Sequence, residues 1–349
     1  MQLYALKFGV MENLNQLKEF LSQPKKIVIT THYKPDADAL GSSLGLAAYL
    51  KKLGHTVQVV SPSDYPKFLH WLPDNKEVLV FDKNNEKKVA ELVNQAELIC
   101  YLDFSCYGRL EQMAAIFEKA QKDVLLIDHH INPSIVAKFN FHNVKAAATA
   151  QLIYELIVAL EDKNKIDAQI GECLYAGILT DTGSFKHPST TKDVHIIAGE
   201  LIDIGVNTTK VHNRIYDNNS EERLRFLGYV LSKKLKVLYE YRVAYITITS
   251  EELKAYHSQT GDTEGVVNYA LSIEGMVLAV IMIDRPDSVK LSFRSVGNFS
   301  VNDFAKAYFN GGGHKNAAGG SSSLNLEETE QKFLGLIKQH KEQLLQTQF

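Results

Sequence analysis

Cysteine is scarce in this 349-residue sequence: Cys100, Cys106 and Cys173 form neither a CxxC pair nor an even set. A disulfide framework is therefore excluded, and a reducing, cytoplasmic compartment is favoured. Long apolar runs are missing too, since none approaches the ~18 residues of a membrane span. The opening stretch MQLYALKFGVMENLNQLKEF has no basic segment followed by an apolar core, so no secretory signal is read there. Charge of one sign is not in excess either: Lys and Arg total 38, Asp and Glu 41, and the net charge is -3. That excludes the global basic footprint expected of proteins that grip long duplexes. A small anionic ligand at one local site stays compatible with it. Internal repeats and low-complexity tracts are absent. What is present is a chain with ordinary hydrophobic (45%) and charged (23%) content, too long for one ordinary domain and sufficient for two.

The first half alternates two patterns. KKIVITTH (25 to 32), TVQVVS (56 to 61), EVLVF (77 to 81), ELICYLDF (97 to 104) and DVLLIDHH (123 to 130) are short, apolar and rich in β-branched residues, as strands covered on both faces are. Helical patterns over 39–53, 85–95 and 108–120 separate them. The expected fold is α/β, with a mostly parallel N-terminal sheet flanked by helices. Helices dominate from about 147 to 235, and a second α/β pattern follows in YRVAYITIT, MVLAVIMID, VKLSFRS, VNDFAKAYF and an amphipathic helix near 327–345. We expect a catalytic domain over 1–200, a helical linker over 201–235 containing the polar stretch DNNSEERLR, and a smaller α/β domain over 236–349.

In parallel sheets ligands sit beyond the carboxyl ends of the strands. The first strand delivers His32, Asp36 and Asp38 there, the fourth Asp103, and the fifth Asp128, His129 and His130; Asp181 follows an apolar helix at a glycine turn. Gathering so many acids without cations costs several kcal/mol in repulsion and desolvation. Metal ions remove that cost. Mixed Asp and His donors without Cys suit Mn²⁺, with Mg²⁺, Co²⁺ or Zn²⁺ as alternatives. The donors exceed what one catalytic ion uses, so two ions are expected, and paired ions point to phosphoester hydrolysis.

Taken singly, each feature has a plainer explanation. Asp38 fits the N-cap of a helix starting at 39, Asp103 a polar strand end, and Asp181 a turn. Their joint placement at strand ends favours the metal centre. His55, His70, His142, His187, His195 and His212 lack such company and read as structural or exposed.

The motifs HYKPDADALGS, DFSCYGRL, DHH and DTGSF, with GGGHKNAAGG at 311–320, resemble those of the DHH phosphoesterases and their associated C-terminal domain, over nearly the whole chain. Phe104 in the second motif departs from the small polar residue of the family. The resemblance implies a two-metal active site in the cleft between the domains. It implies that His32 and Asp36 hold one ion, that Asp38, His129 and Asp181 hold the other, and that Asp103 bridges them. Asp128 would orient neighbouring groups, and His130 would face the scissile phosphate. Gly311, Gly312, Gly313 and His314 would meet a substrate anion through a glycine-rich turn, Arg294 would grip a phosphate, and Arg109 is a weaker candidate for the same role.

Within the family the chain most resembles the nano-RNase branch. That implies hydrolysis of oligoribonucleotides of about two to five units and of 3′-phosphoadenosine 5′-phosphate to AMP, short RNA or small nucleotides being the substrates. Room for the extra domain of the single-strand exonucleases is not seen. Phosphodiesterases of cyclic di-AMP or linear pApA are the close rival. An inactive nucleotide-binding relative and a pyrophosphatase or polyphosphatase are the others; filled donor positions argue against the first and the GGGH stretch against the second. No membrane partner or long duplex is expected, and a homodimer is left open.

Overall fold

Runs such as KIVIT and LICYL are apolar almost throughout because their strands are covered on both faces. The computed structural model describes residues 13–131 and 133–348, and its chain divides into two units, Met1–Asn218 and Asn219–Phe349. In the first unit β1 (Lys26–Thr30), β2 (Thr56–Ser61), β3 (Leu79–Val80), β4 (Leu98–Leu102), β5 (Asp123–Asp128) and β6 (Phe139–His142) pair in parallel in the order β3-β2-β1-β4-β5-β6. Alternate residues serve opposite faces. Ile27, Ile29, Cys100 and Ile127 pack with α1 (Ala37–Lys52), α3 (Thr149–Ala159), α4 (Ala168–Asp181) and α5 (Lys192–Asp203). Val28, Ile99, Tyr101 and Leu126 pack on the other side with α2 (Glu86–Gln95). The unit closes with α6 (Thr208–Tyr216), and α7 (Glu221–Tyr229) opens the second.

Three local expectations need correction. The strand expected over 77–81 is only β3, because a 3₁₀ turn takes Asn75–Glu77. The helix expected over 108–120 is broken at Glu111, whose φ of 50° no helix accommodates, into a 3₁₀ stretch Tyr107–Met113 and the short helix Ala114–Glu118. The amphipathic helix near the end of the chain is interrupted at His340, giving α9 (Leu326–Gln339) and Lys341–Gln346. The edge strand β6 has no counterpart in the sequence reading, because FNFH is too short to show a period.

In the second unit the sheet order is β11-β12-β10-β9-β8-β7, from β7 (Leu235–Leu238), β8 (Val243–Ile248), β9 (Leu278–Arg285), β10 (Ser288–Ser295), β11 (Gly312–His314) and β12 (Ala317–Ser322). Only the β8–β9 pair is parallel. Phe293, Phe309 and Phe333 fill one core with α8 (Val301–Tyr308) and α9. The GGGHKNAAGG stretch, expected as a glycine-rich turn, is a tight hairpin of β11 and β12. Glycine is required there by backbone crowding: a Cβ on Gly311 would lie 2.1 Å from the Gly319 carbonyl oxygen.

Candidate metal centre

Strand β1 pairs with β2 on one side and β4 on the other, so consecutive crossovers leave in opposite directions at the β1/β4 boundary. Such a switch point opens a crevice at the carboxyl ends of the strands. Asp36 is the N-cap of α1; its Oδ1 accepts the N–H groups of Asp38 and Ala39, each at 3.0 Å. The cap expected of Asp38 therefore belongs to Asp36, and α1 starts at Ala37. Asp38 does something else. Buried in the first turn of α1, it accepts the N–H groups of Thr149 (2.6 Å) and Ala150 (2.9 Å), the first amides of α3. A carboxylate there satisfies orphan donors and meets the positive end of the helix dipole.

Asp103 follows β4 with a φ of 66°, a left-handed conformation that costs a non-glycine residue energy and is held by its surroundings. Its Oδ1 accepts the Thr149 hydroxyl at 2.9 Å and lies 3.4 Å from His129 Nε2, while Oδ2 lies 3.4 Å from His32 Nε2. One carboxylate thus serves two imidazoles. His129 Nδ1 donates to the Ala146 carbonyl at 3.1 Å, which fixes the ring and turns Nε2 towards Asp181 Oδ2 (3.3 Å), Asp103 Oδ1 (3.4 Å) and Asp38 Oδ2 (3.9 Å). This is how a protein presents a metal-binding imidazole.

The charges need compensation. Burial pushes Asp38 well above the usual carboxylate range, and Asp103 and Asp181 add to it. Burial raises Asp36 as well, reinforced by Asp181. For His129 burial works the other way, but Asp103 and Asp181 outweigh it and hold the imidazole well above its ordinary value. Asp103, against its own burial, is held low by His129 and His32. Protons and cations compete for such a cluster.

Among the groups whose donor atoms lie within 4.8 Å of one another are His32, Asp36 and Asp103; Asp38, His129 and Asp181; and Asp103, Asp128 and His130. Adjacent ligands of an octahedral ion at ~2.1 Å are about 3 Å apart, close to the 3.3–3.4 Å contacts here. The donor set fits a pair of divalent ions.

Asp128, buried at the end of β5, accepts a hydrogen bond from His130 Nδ1 at 2.8 Å. His130 itself is half-buried. Phe104 is buried and packs edge-on against Tyr101, with ring centres 5.5 Å apart. Arg109 is exposed; its carbonyl accepts the Tyr33 N–H at 2.7 Å, and its charge acts against protonation of His32. In the second unit, the strand register puts Arg294, Ala317 and His314 in one row across β10, β12 and β11, so Arg294 and His314 share a face. Gly311 precedes that hairpin, and Gly312 and Gly313 lie within it.

Sequence reasoning missed three residues. His142, read as structural, donates to the His130 carbonyl at 2.6 Å and lies 4.0 Å from Asp128 Oδ2. His187 donates through Nδ1 to the Asp181 carbonyl at 3.1 Å. Thr149 bonds to Asp103, and a signal existed for it. Helix α3 follows the run Ala146–Ala147–Ala148, with no side chain able to cap it, so an anion from elsewhere is required at its start.

Residues 26–178 match the DHH family N-terminal domain and residues 241–343 the DHHA1 domain. The chain belongs to the DHH family and is a hydrolytic, metal-dependent phosphoesterase. It is 32% identical to the bifunctional oligoribonuclease and PAP phosphatase NrnA of Thermus thermophilus over 314 residues, 90% of this chain and 89% of that one. It is 27% identical to the Bacillus subtilis protein of the same name, over 84% and 88% of the two chains. A crystal structure of an exopolyphosphatase-related protein from Bacteroides fragilis matches with a TM-score of 0.91 and 34% identity, covering 97% of this chain and 99% of that one. Among the described residues no helix is long and apolar enough to cross a membrane.

Proposed function

We propose that this chain hydrolyses short oligoribonucleotides to mononucleotides and 3′-phosphoadenosine 5′-phosphate to AMP. The observation that carries the reading is the convergence of Asp38, Asp103 and Asp181 on one imidazole, His129 Nε2, at 3.3–3.9 Å. His32 and Asp36 would hold one ion and Asp38, His129 and Asp181 the other, with Asp103 available to both. Mn²⁺ matches this mix of carboxylate and imidazole. When bound, such a pair acidifies a water and offsets charge on the phosphate oxygens.

The protein's own groups do the rest. Asp128 fixes the His130 ring through Nδ1, so that Nε2 meets an oxygen of the scissile phosphate. Arg294 and His314, on one face of the second sheet, hold the remainder of the substrate with the backbone of Gly311, Gly312 and Gly313, and Arg109 adds charge near His32. Names of relatives with 27–32% identity over most of their length support the substrate class.

The test is a panel of labelled dinucleotides, a 24-mer, 3′-phosphoadenosine 5′-phosphate, linear pApA and cyclic di-AMP, each incubated with the pure protein and Mn²⁺. Release of mononucleotides from the dinucleotides is expected. Turnover of cyclic di-AMP with none of the dinucleotides would replace this reading. Asp103→Ala is expected to lower the rate by about 10²-fold or more and to reduce metal content, because an electrostatic group at the reacting centre is lost.

A further inference from the structure

A second feature of the first unit is basic and aromatic, and the metal centre does not use it. After β2 the segment PKFLHWL turns through the 3₁₀ stretch Lys67–Leu69, burying Leu69 and Leu72 in the core, leaving Lys67 and His70 exposed and packing Trp71 half-buried against that core. Helix α6 packs on this turn. It buries Val211 and Ile215, four residues apart, and thereby directs Lys210 and Arg214, also four apart, along a neighbouring stripe. Between turn and helix lies a recess of about 460 Å³ lined by Lys67, His70, Trp71, Lys210 and Arg214. That volume is within the ~300–1,000 Å³ range of ligand pockets.

The chemistry of the lining is selective. Three lining side chains are permanently cationic and none is acidic. Lys210 is held by both oxygens of Glu172 at 2.7 Å, which fixes its ammonium 5.8 Å from the centre of the Trp71 ring. Arg214 is exposed and suited to grip a phosphate with two N–H groups. An indole beside cations offers a stacking face and an anion grip together, the combination that single nucleotides recruit. The loop that carries His32 and Asp36 contacts the segment just ahead of the turn. Lys34 in that loop donates its N–H to Ser63 Oγ at 2.8 Å and pairs with Asp64, and both partners lie just ahead of the turn.

We infer that the recess formed by Lys67, His70, Trp71, Lys210 and Arg214 is a second nucleotide site, taking a nucleoside monophosphate unit that is not the one being cleaved. The choice of a nucleotide rests on the reading of the reacting centre above; the charge and shape of the recess do not. The unit is either the far end of a bound oligonucleotide or a separate nucleotide.

Trp71 is the chain's single tryptophan, so its emission reports on this recess without any turnover. AMP titrated into the full-length, Mn²⁺-loaded protein is expected to change that emission saturably. Arg214→Glu and Lys67→Glu should each weaken the apparent affinity by about tenfold or more, the loss of a charge-assisted contact. Unchanged emission, or equal affinity in both variants, overturns the site. Two kinetic arms then assign the source, and either outcome keeps it. A rise in KM for a pentanucleotide but not a dinucleotide in Arg214→Glu assigns the recess to the far end of the substrate. A change of dinucleotide turnover by added AMP, present in the unaltered protein and lost in Arg214→Glu, assigns it to a separate nucleotide. Absence of any oligoribonucleotide hydrolysis would refute the proposed activity and leave the emission result standing.

Discussion

His129 and His130 are adjacent in sequence and opposite in circumstance. The first is buried, with Nδ1 tied to a backbone carbonyl and Nε2 facing three carboxylates; the second is half-buried and tied through Nδ1 to Asp128. His129→Ala is therefore expected to lower metal content, whereas His130→Ala keeps the ions and loses rate. Metal analysis of both at equal Mn²⁺ separates the roles, and equal metal loss would merge them. Away from the centre, Glu155 of α3 is buried, with Gln151 Nε2 at 2.7 Å from Oε1 and no partner for Oε2 among the described residues. Burial pushes its carboxyl up to about 7 from an ordinary 4.5. The folded chain then keeps a proton that the unfolded chain releases across that window. Its stabilisation is full below about pH 4.5 and is lost as pH rises to about 7. Glu155→Gln should remove this slope and exceed the unaltered protein in stability near pH 8 by about 1–3 kcal/mol. Urea midpoints near pH 5 and pH 8 check it; a variant whose midpoint shifts with pH as before would assign the slope to other groups.

At the scale of elements, the contact between α1 and α4 sets the metal centre. Gly41 and Gly45 lie on the α1 side, where a Cβ would come 2.3 Å from the Cys173 carbonyl oxygen and 2.8 Å from Leu174 Cδ2. Gly177 faces back from α4, 2.6 Å in the same sense from Asp38 Oδ1. The close approach brings Asp38, in the first turn of α1, and Asp181, at the end of α4, to the same imidazole. Gly177→Ala should cost about 1–3 kcal/mol and weaken metal binding by displacing Asp38. Gly199 in α5 has open space around its Cβ direction, so Gly199→Ala should gain about 0.5–1 kcal/mol through helix propensity. Thermal unfolding of the pair tests the contrast, and a tolerated Gly177→Ala would show that the helices can shift. The sequence shows α1 and α2 to within two residues, because capping and period-3.6 burial are local properties. It does not show β6, whose place depends on pairing with β5, nor the break at Glu111, a kink with no glycine or proline to announce it.

At the scale of the whole molecule, the net charge of -3 gives no global excess of cations over anions. Anchoring is confined to local groups, so kcat/KM is expected to be highest for substrates of about two to five nucleotides and to fall for a 24-mer. Arg294→Ala should raise KM more than it lowers kcat, since a phosphate grip of this kind is similar in ground and transition states. A 24-mer degraded processively and as fast as a dinucleotide would sink the short-substrate reading. The sequence by itself determined which donors exist and that they stand where strands end, because a buried strand must be apolar and its polar groups can emerge only beyond it. It also carried the motifs by which the family is recognised. Only the tertiary structure decided which donors face one another. Asp38 meets the amide of Thr149 across 111 positions, and Asp103 the hydroxyl of the same residue across 46. Those contacts depend on β1 pairing beside β4 and on glycines that let α1 and α4 touch, and such long-range packing leaves no local pattern to read.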